Sequence, residues 1–192
     1  KNLLVLEEGV LEGRKVFGNI VKYIKMGASS NFGNMFSVLG ASIFLPFVPM
    51  APIQVLVNNL LYDFSQIAIP TDNVDPEYMQ QPRRWDLRNV GWYMLVIGPL
   101  SSVFDYVTFF VLIYYYGAWH NEQLFQTGWF IESIVSQTLI VHVIRTGKVP
   151  FLQSWPSWPL LFTTIAVCSI GMWLPFSRSE EHTSELQSRH NL

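Results

Sequence analysis

Three carboxylates, Asp63, Asp105 and Glu132, fall inside long apolar stretches of this 192-residue chain. Each has polar company. Asn59 and Asp63 are spaced i,i+4 and Gln66 follows three residues on, which on a helix sets them along one face. Upstream, Asn31 and Asn34 are spaced i,i+3 beside Ser30 and Gly33. A charged side chain at membrane depth costs about 2.5–3.5 kcal/mol even on lenient insertion scales, so a cation or a donor must offset it. Amide, hydroxyl and carboxylate oxygens suit hard cations such as Mg²⁺ or Ca²⁺, whereas copper and zinc favour thiolate or imidazole. Cys168 and His142 each stand alone, so a soft-metal site is not expected. The competing role for the asparagines is hydrogen bonding between helices.

Asp105 has Ser101, Ser102 and Thr108 nearby, and Glu132 precedes Ser133, Ser136, Gln137 and Thr138. Asp105 reads as facing the bundle, and for Glu132 interhelical bonding and an ion path stand level. There is no Walker-type loop, no HExxH and no nucleophile–base pair. Catalytic residues and ATP hydrolysis are therefore not expected within this chain.

The elements that must position these groups are membrane helices. Half the residues are apolar, 15% are aromatic and 14% are charged, against about a quarter charged in soluble domains. Apolar windows of about 19 residues recur. They predict an all-α, polytopic bundle with spans at about 26–47, 53–69, 90–116, 124–144 and 158–176, in contact with the lipid bilayer. The second span is short and carries Asn58, Asn59 and Asp63. Pro46, Pro49 and Pro52 cannot continue one helix, so spans one and two are expected to turn tightly into antiparallel neighbours. A single cysteine excludes a disulfide scaffold. The net charge of −2 gives no basic footprint for nucleic acid.

Orientation follows from the cations. Lys1, Arg14, Lys15, Lys22 and Lys25 precede span one; Arg83, Arg84 and Arg88 follow span two; Arg145 and Lys148 follow span four. The two remaining connections carry none. This alternation places the N-terminus and both basic connections in the cytoplasm and supports the second span. Residues 1–25 lack the apolar core of a signal peptide and are expected to form a cytoplasmic stalk that runs helically into span one. No internal repeat is seen. Trp119, Trp155, Trp158 and the Tyr114–Tyr116 run read as interfacial anchors.

Residues 178–192 change character, with three glutamates, two histidines and two arginines. Arg178 to Ser188 (RSEEHTSELQS) resembles the in-frame translation of a sequencing-library adapter. It is expected to be non-native and is set aside for function, including His182 and His190 as ligands.

The run from Glu8 to Tyr23 (EGVLEGRKVFGNIVKY), followed by Ser29 to Asn34 (SSNFGN), resembles the fifth membrane helix of P-type ATPases and its cytoplasmic extension. Asn59 to Asp63 (NLLYD) is similar to the sixth-helix Asn-x-x-x-Asp motif. The wording from Met50 to Trp85 resembles the bacterial magnesium-importing branch. The resemblance covers about residues 1–176 and implies helices five to nine of a cation pump. By position it assigns ion-site roles to Asn31, Asn34, Asn59, Asp63 and Gln137, with Asp105 and Glu132 as weaker candidates.

Calcium pumps carry a glutamate where this chain has Asn34 and a threonine where it has Tyr62. With Asp63 the clear charge there, two Ca²⁺ ions would be poorly neutralised. One Mg²⁺ that keeps part of its hydration shell fits better. The resemblance further implies partners outside this sequence: the first four helices and the cytoplasmic domains that use ATP and a catalytic Mg²⁺. A tenth helix is expected after Phe176, where the polar tail stands. The location implied is the bacterial inner membrane. A calcium or other cation pump, or a gradient-driven transporter or channel subunit, is the alternative.

Overall fold

A computed structural model describes residues 3–80 and 84–190, with side chains described as far as Ser177. Lys1 and Arg83, counted above for orientation, lie outside the described residues. The described chain is an all-α bundle of α1 (Leu3–Phe44), α2 (Pro52–Gln66), the short α3 (Pro76–Met79), α4 (Leu87–Phe110), α5 (Glu122–Ile144) and α6 (Trp158–His190). A π-turn, Val111–Tyr115, extends α4, and 3₁₀ turns stand at Ile69–Thr71 and Ala118–His120.

Local chemistry sets the boundaries. No proline interrupts Leu3 to Phe44, and Pro46 and Pro49 follow its end. α2 begins on Pro52, where a missing N–H costs nothing, and the Gln54 side chain accepts the Ala51 N–H at 3.0 Å. The Asp86 carboxylate caps α4 by accepting from the Arg88 and Asn89 amides at 3.0 and 3.2 Å. Asn121 caps α5 through the Leu124 amide at 3.1 Å. Such caps satisfy donors that a helix start leaves free.

Among the described residues, three helices are long and apolar enough to cross a membrane: Leu87–Tyr115, Glu122–Ile144 and Trp158–Ser177. They match the third to fifth expected spans closely. The first two expected spans correspond to the inner part of α1 and to α2. α2 has 15 residues, about 22 Å of helix, and ends three residues before the expected boundary. Its polar groups are what dilute its hydropathy, and most of them are packed against neighbours. α6 also continues through the segment expected to be foreign.

α1 lies along α4, and two glycines bring the backbones together. A Cβ built on Gly33 would stand 3.0 Å from the Gly98 carbonyl, and one on Gly98 would stand 2.6 Å from Phe32 Cδ1. This close approach lets Ser102 Oγ donate to the Gly33 carbonyl at 2.9 Å, the small-residue packing typical of membrane helices. One apolar core gathers Phe109, Phe125, Trp129, Phe130 and Ile134, with Trp129 edge-on to Phe109 at 4.8 Å. A second joins Met26, Tyr62, Ile69, Val141 and Leu160. Large apolar side chains such as Phe104, Phe110, Phe162 and Trp173 face outward, as a lipid-facing surface requires.

Candidate cation site

α2 buries Asn58, Leu61, Tyr62, Ser65 and Gln66 against the bundle. That stripe decides which polar groups meet. Asn58, one residue from the expected ligand Asn59, points inward and donates to Ser133 Oγ at 3.0 Å. Gln137 Nε2 donates both to that same Ser133 hydroxyl and to Asn34 Oδ1, the latter at 2.8 Å. Ser30 Oγ donates to Gln137 Oε1 at 3.2 Å. Asn34 and Gln137, each named separately as a candidate on the resemblance, are thus joined directly. The Asn58 Oδ1 atom is buried without a partner.

A second polar knot lies nearby. Asp105 is buried between α1 and α5, and its oxygens accept from Ser37 Oγ at 2.5 Å and from Trp129 Nε1 at 2.9 Å. Glu132 stands beside Asp105, and its Oε2 is buried without a partner. Asp105, Asn34 and Gln137 share the wall of a cavity of about 240 Å³ with Ser29 and Ser101.

The remaining expected ligands are arranged differently. Asn31 is exposed, Asn59 is half-buried and Asp63 is exposed, beside Tyr23, Leu60, Phe64 and Ile67. None of the three makes a side-chain hydrogen bond among the described residues. Gln66, expected on the Asp63 face, is turned inward and fully buried. The i,i+3 step rotates about 60° around the helix, enough here to separate a buried amide from an outward carboxylate. The structure therefore joins Asn34 with Gln137, sets Glu132 beside Asp105, and leaves Asn31 and Asp63 exposed with Asn59 half-buried.

Sequence reasoning missed a cluster at the other end of α2. Asp72 is fully buried and binds Arg145 Nη1 with both oxygens at 2.9 Å, the Ser157 amide at 3.1 Å and Lys22 Nζ at 3.3 Å. Its carbonyl accepts from Asn19 Nδ2 at 3.2 Å. Burial pushes the Lys22 ammonium below its ordinary range, with Asp72 pulling the other way. Close by, the Asp75 carboxylate accepts from Thr146 Oγ1 and the Gly147 amide at 2.9 and 3.1 Å. The connection from α2 to α4 is thereby tied to α1 on one side and to the α5–α6 connection on the other. Arg145 and Lys22 were legible only as orientation signals, since a pairing across so many residues leaves no local pattern.

The comparisons with known proteins bear on these residues. The "Magnesium-transporting ATPase, P-type 1" of Escherichia coli (strain K12) is 56% identical over 179 residues, covering 92% of this chain and 20% of that protein. Its counterpart from Salmonella typhimurium (strain LT2) is 54% identical over the same length and share. A "Calcium-transporting ATPase" of Bacillus subtilis (strain 168) is 28% identical over 159 residues, covering 80% of this chain and 18% of that protein. The chain spans about a fifth of the length of the curated relatives it matches. The family described as "Cation transporting ATPase, C-terminus" matches residues 47–187, from the turn before α2 through α6. By that match, the chain belongs to the C-terminal region family of the cation-transporting ATPases.

Proposed function

We propose that this chain is the C-terminal membrane part of an ATP-driven Mg²⁺ transporter and supplies about half of its intramembrane cation site. The observation that carries the reading is the contrast among relatives. Those named for magnesium are 54–56% identical, and the one named for calcium is 28% identical. The donor set agrees with it. Amides and hydroxyls around few carboxylates suit a single hard cation that keeps part of its water.

In this reading residues 1–25 are a cytoplasmic stalk, residues 26–176 carry five spans, and residues 178–192 are foreign. Asp63 supplies the charge, with Asn31 and Asn59 as neutral oxygen ligands. Their outward faces are where helices from the rest of the pump complete the site. Asn34 and Gln137 close it from inside the bundle, and Asp105 and Glu132 contribute less directly. ATP and its catalytic Mg²⁺ bind in the cytoplasmic domains upstream. The pump resides in the bacterial inner membrane with the stalk in the cytoplasm.

The test is growth of a transport-deficient bacterium carrying the full-length parent, in low Mg²⁺ and separately in high Ca²⁺. Rescue in low Mg²⁺ is expected. Relief of calcium sensitivity alone would transfer the reading to a calcium pump.

A further inference from the structure

Asn58 stands next to the motif residue Asn59 but is turned the other way. It is 2% exposed, its Nδ2 donates to Ser133 Oγ at 3.0 Å, and its Oδ1 is buried without a partner. A buried amide left half unpaired is costly, whereas an apolar residue of similar shape would carry no such penalty. The bond to Ser133 is therefore what an asparagine supplies there.

That bond dictates the next one. A serine hydroxyl offers two lone pairs and one hydrogen. Ser133 Oγ accepts from Asn58 Nδ2 and from Gln137 Nε2, so both lone pairs are taken. With Asn58 in place, Ser133 receives from Gln137, and the N–H end of the Gln137 carboxamide must face it. The second Gln137 N–H then reaches Asn34 Oδ1 at 2.8 Å, and the Gln137 oxygen accepts from Ser30 Oγ at 3.2 Å. Without Asn58, the Ser133 hydroxyl is free to turn and donate. The carboxamide can then reverse, which sets its oxygen against Asn34 Oδ1. Ser30, Asn34 and Gln137 line the cavity of about 240 Å³, while Asn58 lies outside that lining and reaches it through Ser133. Asn58 also sits on α2 five residues before Asp63, so its bond joins the helix that carries Asp63 to the Asn34–Gln137 pair.

We propose that Asn58 is a positioning residue of the cation site, which by its bond to Ser133 fixes which end of the Gln137 carboxamide meets Asn34. This rests on the transport reading given above, in which Asn34 and Gln137 are ligands.

The experiment measures Mg²⁺ uptake by transport-deficient cells carrying the full-length parent pump, normalised to the amount of pump in the membrane. Asn58→Leu should raise the half-saturating external Mg²⁺ about three- to tenfold, the worth of one hydrogen bond, and leave the maximal rate within about twofold. In a Gln137→Leu background the same substitution should have less than about a twofold effect, because the group it positions is gone. Thr164→Val, which breaks a buried side-chain bond to His142 at 2.8 Å, is the control and should not move half-saturation. An unchanged half-saturation in Asn58→Leu, an equal shift in the control, or equal effects in both backgrounds overturns the proposal and leaves Asn58 as a tie between helices. If Asn58→Leu does not reach the membrane, Ser133→Ala, which removes only the shared hydroxyl, takes its place. A rise in half-saturation then upholds the relay, and no rise overturns it. If the unsubstituted pump takes up no Mg²⁺, the magnesium reading fails by itself. The same variants are then titrated with Ca²⁺ in inside-out vesicles, where the same pattern upholds the positioning and its absence overturns it.

Discussion

Arg145 donates through a single nitrogen, Nη1, to both carboxylate oxygens of Asp72 at 2.9 Å, across 73 positions of sequence. Both side chains are buried, and neither could remain so alone. Removing one partner of a buried pair strands the other charge. Asp72→Ala in the full-length pump is expected to cost about 3–5 kcal/mol, read as a lowered midpoint of thermal unfolding in detergent. Lys148→Ala, which breaks an exposed pair with Glu77 at 2.9 Å, should move that midpoint little.

The same exposed pair has a pH signature. The hydrogen bond from Lys148 holds Glu77 below the usual carboxylate range. A depressed acid contributes its stabilisation above its unfolded pKa and loses it as pH falls through the folded value. Titration of Glu77 by NMR should therefore show a midpoint below that of a free glutamate, and Lys148→Ala should raise it. An unchanged midpoint in the variant would remove Lys148 as the cause.

Asp63→Asn is expected to abolish most Mg²⁺-dependent ATPase activity and transport while leaving expression intact. The substitution keeps shape and removes the charge proposed to bind the ion. Because Asp63 makes no hydrogen bond among the described residues, little packing should be lost. Wild-type Mg²⁺ transport by a well-expressed variant would overturn its role as ligand.

Asp105→Asn should be milder. Its oxygens accept from Trp129 and Ser37, and an amide retains one acceptor while the serine hydroxyl can turn to accept from the new N–H. Asp105→Leu leaves both donors unpaired, at about 1–3 kcal/mol. A thermal comparison of the two variants separates the cases, and equal losses would contradict this account.

Asn34→Ala should weaken the apparent Mg²⁺ affinity in ATPase titrations, because it removes both a candidate ligand and the acceptor that orients Gln137. Gln137→Leu should do the same through the partner side. If the two act through their shared bond, the double variant should lose less than the two singles together.

How much of this was legible follows from distance along the chain. The helices were, because apolar length and proline placement are local. Asn34 and Gln137 were named as candidates, yet their direct bond depends on the packing of α5 against α1. Asn58 shows the limit most clearly. Its neighbour Asn59 carries the motif, but the buried stripe of α2 runs through Asn58, Tyr62 and Gln66. Reading the apolar partners Leu61 and Tyr62 as the inward face would have found it. Asp72 and Arg145 offered no such local signal.

The uninterrupted helix α1 has a mechanical consequence. Its 42 residues amount to about 63 Å at 1.5 Å per residue, twice the hydrocarbon thickness of a bilayer. Asn19 and Lys22 fasten it near the middle to the Asp72 connection, which acts as a fulcrum. From there the outer arm reaches Leu3 over about 25 Å, and the inner arm reaches Asn34 over about 20 Å. The inner arm is held against α4 by the close approach of Gly33 to Gly98 and by the Ser102 bond to the Gly33 carbonyl, so a sideways load on the outer tip is taken up at the Asp72 fastening before it reaches the 2.8 Å bond between Asn34 and Gln137.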